Sequence, residues 1–442
     1  MEDENSTESK RVNCPHSVDD VDLFGPGAQE HWYDAYPILH QQCPVMRIEG
    51  EGLTPGSDGY VLTKHGDINR VVRDWPRYEP TLSRAVEQVA SAGVPPFEVP
   101  GVNKMVAAMV TLRRDEASWR AHRKELTDPW VGPGATRHEA MIAGHVDALI
   151  DNWIERDGPV NFVSEFARPL PQRTMASVLG FPLEDIPQLE EWGNAQVYAF
   201  VHGRGHRNVI SEEETAEQFR LLNGFADYVA AKTREKRANP GDDMVSFLTQ
   251  VHYSPVDRKL TDDEVNGIVY AMLIGGLETT QYAIAEQAQL LCENVGLFEQ
   301  LRQDPSRIRV FVEEGMRLRS PTQGLSTRVT TQDEEFQGVK VPQGSLLHLR
   351  FGAANIDPET FEDANAVKLD RKAPTRHLAF SAGLRSCPGA HISRVEQQVA
   401  WRRLCARLED IAYAEGNDFT HQPGIMLGVN ALHLNLTAAE EI

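Results

Sequence analysis

The sequence predicts a mainly α protein with a smaller β portion, an α+β chain, on three observations. Apolar residues recur at helical spacing over most of the length, and β-rich pieces are few and short. No repeat or Ser/Gly-rich linker divides the 442 residues, so residues 16–442 read as one domain. Residues 1–15 are polar and acidic and are expected to be disordered. Taken in order, a short β region is expected around Tyr60, Val61 and Leu62, then a helix from near Asp67. After Pro80 comes a stretch rich in Pro, Gly and small apolar residues, which is loop chemistry with an apolar face. Between residues 138 and 155, Met141, Val146, Leu149, Ile150, Trp153 and Ile154 fall on one helical face. The longest helix is expected to open at Thr261, where Asp262, Asp263 and Glu264 suit an N-terminus, and to run towards Cys292. Residues 336–341 and 345–351, separated by Pro342 and Gly344, read as a hairpin. A last helix is expected from Ala390 to Leu408.

Charge and cysteine usage exclude several classes of function. Lys and Arg number 44 against 65 Asp and Glu, a net charge of -21. Such a surface repels phosphate backbones and anionic lipid, so neither nucleic acid nor a membrane surface is an expected partner. No apolar run approaches the roughly 18 residues of a membrane span. The five cysteines, Cys14, Cys43, Cys292, Cys387 and Cys405, include no C-x-x-C pair, which argues against a disulfide framework and a structural zinc site. The opening residues are neither a signal nor a transit peptide, and a cytoplasmic, soluble location is expected.

The segment from Phe380 to Gly389, FSAGLRSCPG, brackets Cys387 with two glycines and a proline just before a helix. Glycines let the backbone turn tightly and approach a flat ligand. A thiol ahead of a helix meets several N–H groups, which favour the thiolate. The same residues also fit an inert thiol in a tight turn. A second unusual feature is Gly275, Gly276, Leu277, Glu278, Thr279 and Thr280 inside the long helix. Two adjacent glycines cost about 1 kcal/mol each relative to alanine, which suggests a close ligand or an opened hydrogen-bond ladder. An acid beside an alcohol can pass protons through water. A packing notch with a solvated Glu278 is the plainer alternative.

The pattern F-x-x-G-x-x-x-C-x-G resembles the heme-binding loop of the cytochrome P-450 superfamily, in its soluble bacterial form, and matches every fixed position. The midhelix segment is similar to the family's (A/G)-G-x-(D/E)-T-(T/S) groove. Trp119 and Arg123 match its W-x-x-x-R, Glu314 and Arg317 its E-x-x-R, and His377 falls in its H-L-x-F phrase. The likeness runs from about Tyr60 to Leu436 and implies a long central helix over a heme. It implies heme b, with Cys387 as the axial iron ligand and Phe380, Gly389 and Gly275 close to the cofactor. By the same resemblance Trp119, Arg123, Arg328 and Arg385 would hold the propionates, Thr279 would hydrogen-bond bound O2, and Glu278 would relay protons. The family's ion pair has a third arginine, for which this chain has Ala366, with Lys368 or Arg371 as nearby substitutes.

The implied reaction is monooxygenation of a hydrophobic small molecule by O2. With no flavin region or iron–sulfur cluster in the sequence, the electrons would come from a separate ferredoxin and ferredoxin reductase. Arg120, Lys124, Arg394, Arg402 and Arg403 would form a basic docking patch for them. By family analogy the substrate would meet Val94, Phe97, Val197, Phe200, Leu273, Gly276, Leu325 and Met426.

Overall fold

The computed structural model describes residues 12–53, 56–81, 102–201, 211–324 and 327–439. Val12 donates its N–H to Pro26 O at 2.9 Å, whereas residues 1–11 lie outside the described residues, as does the loop after Ser83. The helices that build the site are α1 (His65–Arg73), α2 (Val102–Thr111), α3 (Glu116–His122), α4 (Glu139–Asp151), α5 (Pro169–Leu179) and α6 (Ile186–Val201). They continue as α7 (Glu212–Ala238), α8 (Asp262–Leu277), α9 (Thr279–Glu293), α10 (Ile308–Leu318) and α11 (Ala390–Arg407).

Helices α8 and α9 form the central rod, with α8 packed against α2, α5, α6 and α7. Thr261 starts it through a reciprocal cap: its hydroxyl accepts the Glu264 N–H, and the Glu264 carboxylate accepts the Thr261 N–H. The expected single long helix is two, broken at Glu278, whose φ of -110° leaves the helical ladder. Among the described residues the longest helix is instead α7, of 27 residues. Its sequence is so polar that only Phe225, Ala226, Val229 and Thr233 are buried, which is why its apolar period is faint.

Below the rod, Ile142, Val146, Leu149 and Ile150 of α4 meet Phe162, Phe166, Phe311 and Trp401 in one cluster. Burying each large apolar side chain contributes about 1.5–3 kcal/mol. The indole of Trp401 donates to Gln287 Oε1 at 2.6 Å, which ties α11 to α9 and gives the buried indole N–H its partner. Trp153 joins the same core just past the end of α4.

The larger sheet contains β1 (Val45–Ile48), β2 (Gly59–Leu62), β3 (Tyr78–Pro80), β5 (Thr327–Thr330) and β8 (Leu346–Leu349), in the order β1-β2-β8-β5-β3. A smaller sheet joins β4 (Val160–Asn161) to β9 (Leu408–Tyr413) and β10 (His433–Ala438), in the order β9-β10-β4. The expected hairpin is corrected here. Strand β6 (Glu334–Phe336) turns back on β7 (Val339–Val341), while β8 runs parallel to β2 and antiparallel to β5. All four β8 residues are buried, three of them leucines beside His348, and burial on both faces suits a central strand rather than one arm of an exposed hairpin. Among the described residues no helix is long and apolar enough to cross a membrane.

Candidate active site

Cys387 sits in the turn that feeds α11, its N–H donating to Phe380 O at 2.9 Å. The turn needs Gly383: its φ is +73°, and a Cβ there would lie 3.1 Å from both Arg73 Cα and Val72 O of α1. Burial pushes the Cys387 thiol above its ordinary value, against N–H hydrogen bonds from Gly389 and Ala390 and the charges of Arg123 and Arg394. A buried sulfur with two N–H donors aimed at it suits a thiolate that a metal cation holds ionised. Phe380 lies under the guanidinium of Arg394, 4.5 Å from ring centre to the charged carbon.

Two buried ion clusters brace this turn from α10. Glu314 accepts from Arg317 at 2.8 and 3.0 Å, from Arg371 Nε at 2.6 Å and from the Lys368 N–H at 3.0 Å. Arg371 therefore supplies the third arginine, while Ala366 contributes its carbonyl to Arg317 at 3.0 Å. The adjacent Glu313 faces another way, towards His377 Nε2 at 2.9 Å and Arg394 at 2.6 and 3.0 Å. Because His377 Nδ1 accepts the Ala379 N–H, Nε2 is the nitrogen that carries the proton towards Glu313. Burial would raise the Glu313 pKa, but His377 and Arg394 outweigh it and hold the carboxyl at about 2.

Gly275, Glu278 and Thr279 meet at the α8–α9 break. The Thr279 hydroxyl donates to Gly275 O at 2.8 Å, a back-bond that competes with the helix ladder where it opens. A Cβ on Gly275 would meet nothing within 4 Å, whereas one on Gly276 would strike Met175 Cγ at 2.5 Å. Burial raises the Glu278 carboxyl to about 7, with Arg168 opposing and Glu190 reinforcing that rise. A cavity of about 220 Å³, lined in part by Arg168, Glu190, Gln281, Tyr282 and Gln422, opens beside Glu278. Thr280 Oγ1 lies 2.9 Å from Ser393 Oγ, tying α9 to the helix that follows Cys387.

The residues expected to hold propionates are partly gathered. Arg385 lies over Trp119 at 4.8 Å and over Trp75 at 5.5 Å, and Arg328 is buried. Arg123 is already engaged, with Nη1 donating to Ser386 O at 2.6 Å and Nε 3.4 Å from Asp128. The indole N–H of Trp119 is buried without a partner. Neither Arg328 nor Arg113, a residue that sequence motifs leave unmarked, pairs with a carboxylate among the described residues. A pocket of guanidiniums and an unmatched indole N–H fits a buried dianion such as the two propionates of heme.

The substrate set is more scattered. Val94, Phe97 and Leu325 lie outside the described residues, and for Val197 and Phe200 only the helical backbone of α6 is described. Leu273 is packed in the core with α2 and α5 residues, and Gly276 faces Met175 rather than open space. Met426 is buried in a small cluster with Tyr282 and Ile425. The basic docking patch is also reduced: Arg120 pairs with Glu116, Arg394 with Glu313, Arg402 with Glu139, and Arg403 lies 3.6 Å from Asp147.

Comparison with known proteins bears on this arrangement. A cytochrome P450 family model matches residues 208–409. The polyketide biosynthesis cytochrome P450 PksS of Bacillus subtilis is 30% identical over 401 residues, which is 90% of this chain and 94% of that one. A steroid C26-monooxygenase of Mycobacterium tuberculosis is 32% identical over 291 residues, 64% of this chain and 74% of the other. The open structure of cytochrome P450 EryK from S. erythraea shares the fold, with a TM-score of 0.78 at 24% identity over 96% of this chain and all of that one. Because the likeness to PksS extends over nearly the full length of both chains, this chain belongs to the cytochrome P450 family and is a P450 monooxygenase.

Proposed function

We propose that this enzyme binds heme b through Cys387 and inserts one atom of O2 into a hydrophobic small organic molecule. The cofactor, when bound, supplies oxygen activation, and a thiolate ligand donates electron density that favours O–O cleavage. The observation that carries the reading is the pairing of the Cys387 turn with an acid and an alcohol at a helix break in the central rod. A carboxyl held near 7 gives up and regains a proton at neutral pH, as a relay requires. The cavity beside it admits water to the carboxyl, and Tyr282 hydrogen-bonds it there. Since the Thr279 hydroxyl donates its hydrogen to Gly275 O, its oxygen is left to accept a hydrogen bond from a bound water or donor. Electrons come from a separate ferredoxin and its reductase, and the protein works in the cytoplasm. Relatives named for polyketide and steroid chemistry are consistent with a hydrophobic substrate.

The absorption spectrum of the reduced, CO-bound protein tests the ligand. A thiolate gives a strongly red-shifted Soret band, and Cys387→His should abolish it. If the variant kept that band, Cys387 would not be the ligand. The relay is tested by Thr279→Ala, which should lower the fraction of NADH consumption that ends in product. Unchanged coupling would remove Thr279 from the proton path.

A further inference from the structure

We propose that Arg113, just past the end of α2, is an additional cation for the heme propionates, at a position the family's motifs do not mark. The proposal rests on the heme-thiolate reading. The guanidinium carbon of Arg113 lies 4.4 Å above the centre of Trp119, the same indole that Arg385 covers at 4.8 Å. Two cations thus converge on one ring whose own N–H has no partner. Arg328, 7% exposed, adds a third positive charge, and Arg385 repels both it and Arg113.

Like charges gathered in a half-buried space are costly unless an anion joins them. Among the described residues no carboxylate pairs with Arg113 or Arg328. Among the described residues Arg113 and Arg328 each donate one hydrogen bond, to the backbone carbonyls Met109 O at 3.3 Å and Thr327 O at 2.8 Å respectively. The guanidinium of Arg113 therefore has donors to spare for a carboxylate. Arg123 differs, since Asp128 and Ser386 O already take two of its nitrogens. Arg123 clamps the cysteine turn, and Arg113 supplies charge to the ligand. The indole stack fixes the guanidinium plane, so little side-chain freedom is lost when the anion arrives.

Heme release from the ferric holoenzyme to excess apomyoglobin tests this, using protein loaded either with hemin or with hemin dimethyl ester. Arg113→Ala should release hemin on the order of 10- to 100-fold faster than wild type, the loss of one charge-assisted hydrogen bond. It should release the ester, which has no anionic propionate, at the wild-type rate. Arg113→Lys should stay close to wild type with both, and so should the exposed neighbour Arg114→Ala. Equal acceleration for both porphyrins, unchanged hemin release in Arg113→Ala, or failure of both Arg113 variants to hold either porphyrin would overturn the proposal. The wild-type CO spectrum separates this from the larger reading: if that lacks the thiolate band, the heme-thiolate assignment itself fails.

Discussion

Replacing Arg371 by methionine isolates the contribution of the residue that stands in for the missing arginine. Arg371 Nε gives Glu314 one charge-assisted hydrogen bond at 2.6 Å, and Nη1 gives Glu362 O another at 2.9 Å. Glu314 is fully buried, so its carboxylate cannot recover the lost donor from water. It nevertheless keeps both contacts to Arg317 and the N–H of Lys368. Removing every partner of a buried charge costs about 3–5 kcal/mol, while one hydrogen bond to a charged group is worth about 1.5–3. The expected cost of Arg371→Met is therefore about 2–3 kcal/mol. An unfolding entropy of about 2.1 cal/mol/K per residue over 442 residues is about 0.9 kcal/mol/K, so Tm should fall by about 2–3 °C. Arg317→Met should cost more, because it removes two contacts to Glu314 rather than one and leaves the carbonyls of Asn355 and Ala364 buried without a donor, whereas the carbonyls that Arg371 meets are exposed. Calorimetry of the heme-loaded variants under identical conditions measures both. If Arg371→Met left Tm unchanged while Lys368→Met lowered it by this amount, the assignment of the third cation would be wrong.

Three further outcomes follow from the site. Glu278→Gln should lower NADH-driven product formation on the order of 100-fold and flatten its pH dependence near 7, measured as product formed at saturating reductase. A profile that kept its inflection would assign that titration to another group. His421 is lifted to about 9, since Glu286 and Glu30 outweigh the lowering effect of its burial. Its stabilisation is complete below its ordinary value of 6.5 and is lost as pH rises through about 9, so wild-type Tm should decline over that window and His421→Asn should remove much of the decline. Gly276→Ala should destabilise by about 1–3 kcal/mol by driving a methyl into Met175, whereas Gly275→Ala, facing open space, should not. Thermal unfolding of the pair decides it, and equal Tm values would mean that Met175 yields freely.

What could be read from sequence was what local chemistry dictates. The Cys387 turn announces itself because Gly383 has a left-handed backbone and a close approach to α1 that a side chain would disturb, and α4 because its apolar residues recur on one helical face. The α8–α9 break was visible as a weak pair of glycines that suggested either a close ligand or an opened ladder, but its position at Glu278 was not, because the Thr279 back-bond that accompanies it is a contact rather than a pattern. Strand β8 was misjudged because Pro342 and Gly344 look like a hairpin turn, and only the pairing of Leu346 to Leu349 with β2 shows otherwise. Arg371 was visible only as one of two candidates, since a loop decides which guanidinium reaches Glu314. Arg113 left no local mark at all, since its distinction is a stack on Trp119 across the turn between α2 and α3 and the company of Arg385, far off in sequence.

Glu313 and Glu314 show how that division of labour holds the sulfur in place. Neighbours on α10, they diverge into separate clusters: Glu314 gathers Arg317 and Arg371, and Glu313 gathers His377 and Arg394. The first cluster ties the stretch before the cysteine turn to α10 through the Ala364 and Ala366 carbonyls. The second ties both ends of the turn, His377 ahead of it and Arg394 behind it, to one carboxylate. Neither cluster hydrogen-bonds the sulfur, yet together they leave the turn little freedom to shift along α10. Rigid placement of a ligand by groups one step removed is what a metal site requires, because the first ring of atoms alone cannot fix its own orientation. The surplus of acid over base in this chain does not weaken that brace, since the carboxylates that matter here are buried and already matched by arginines and a histidine.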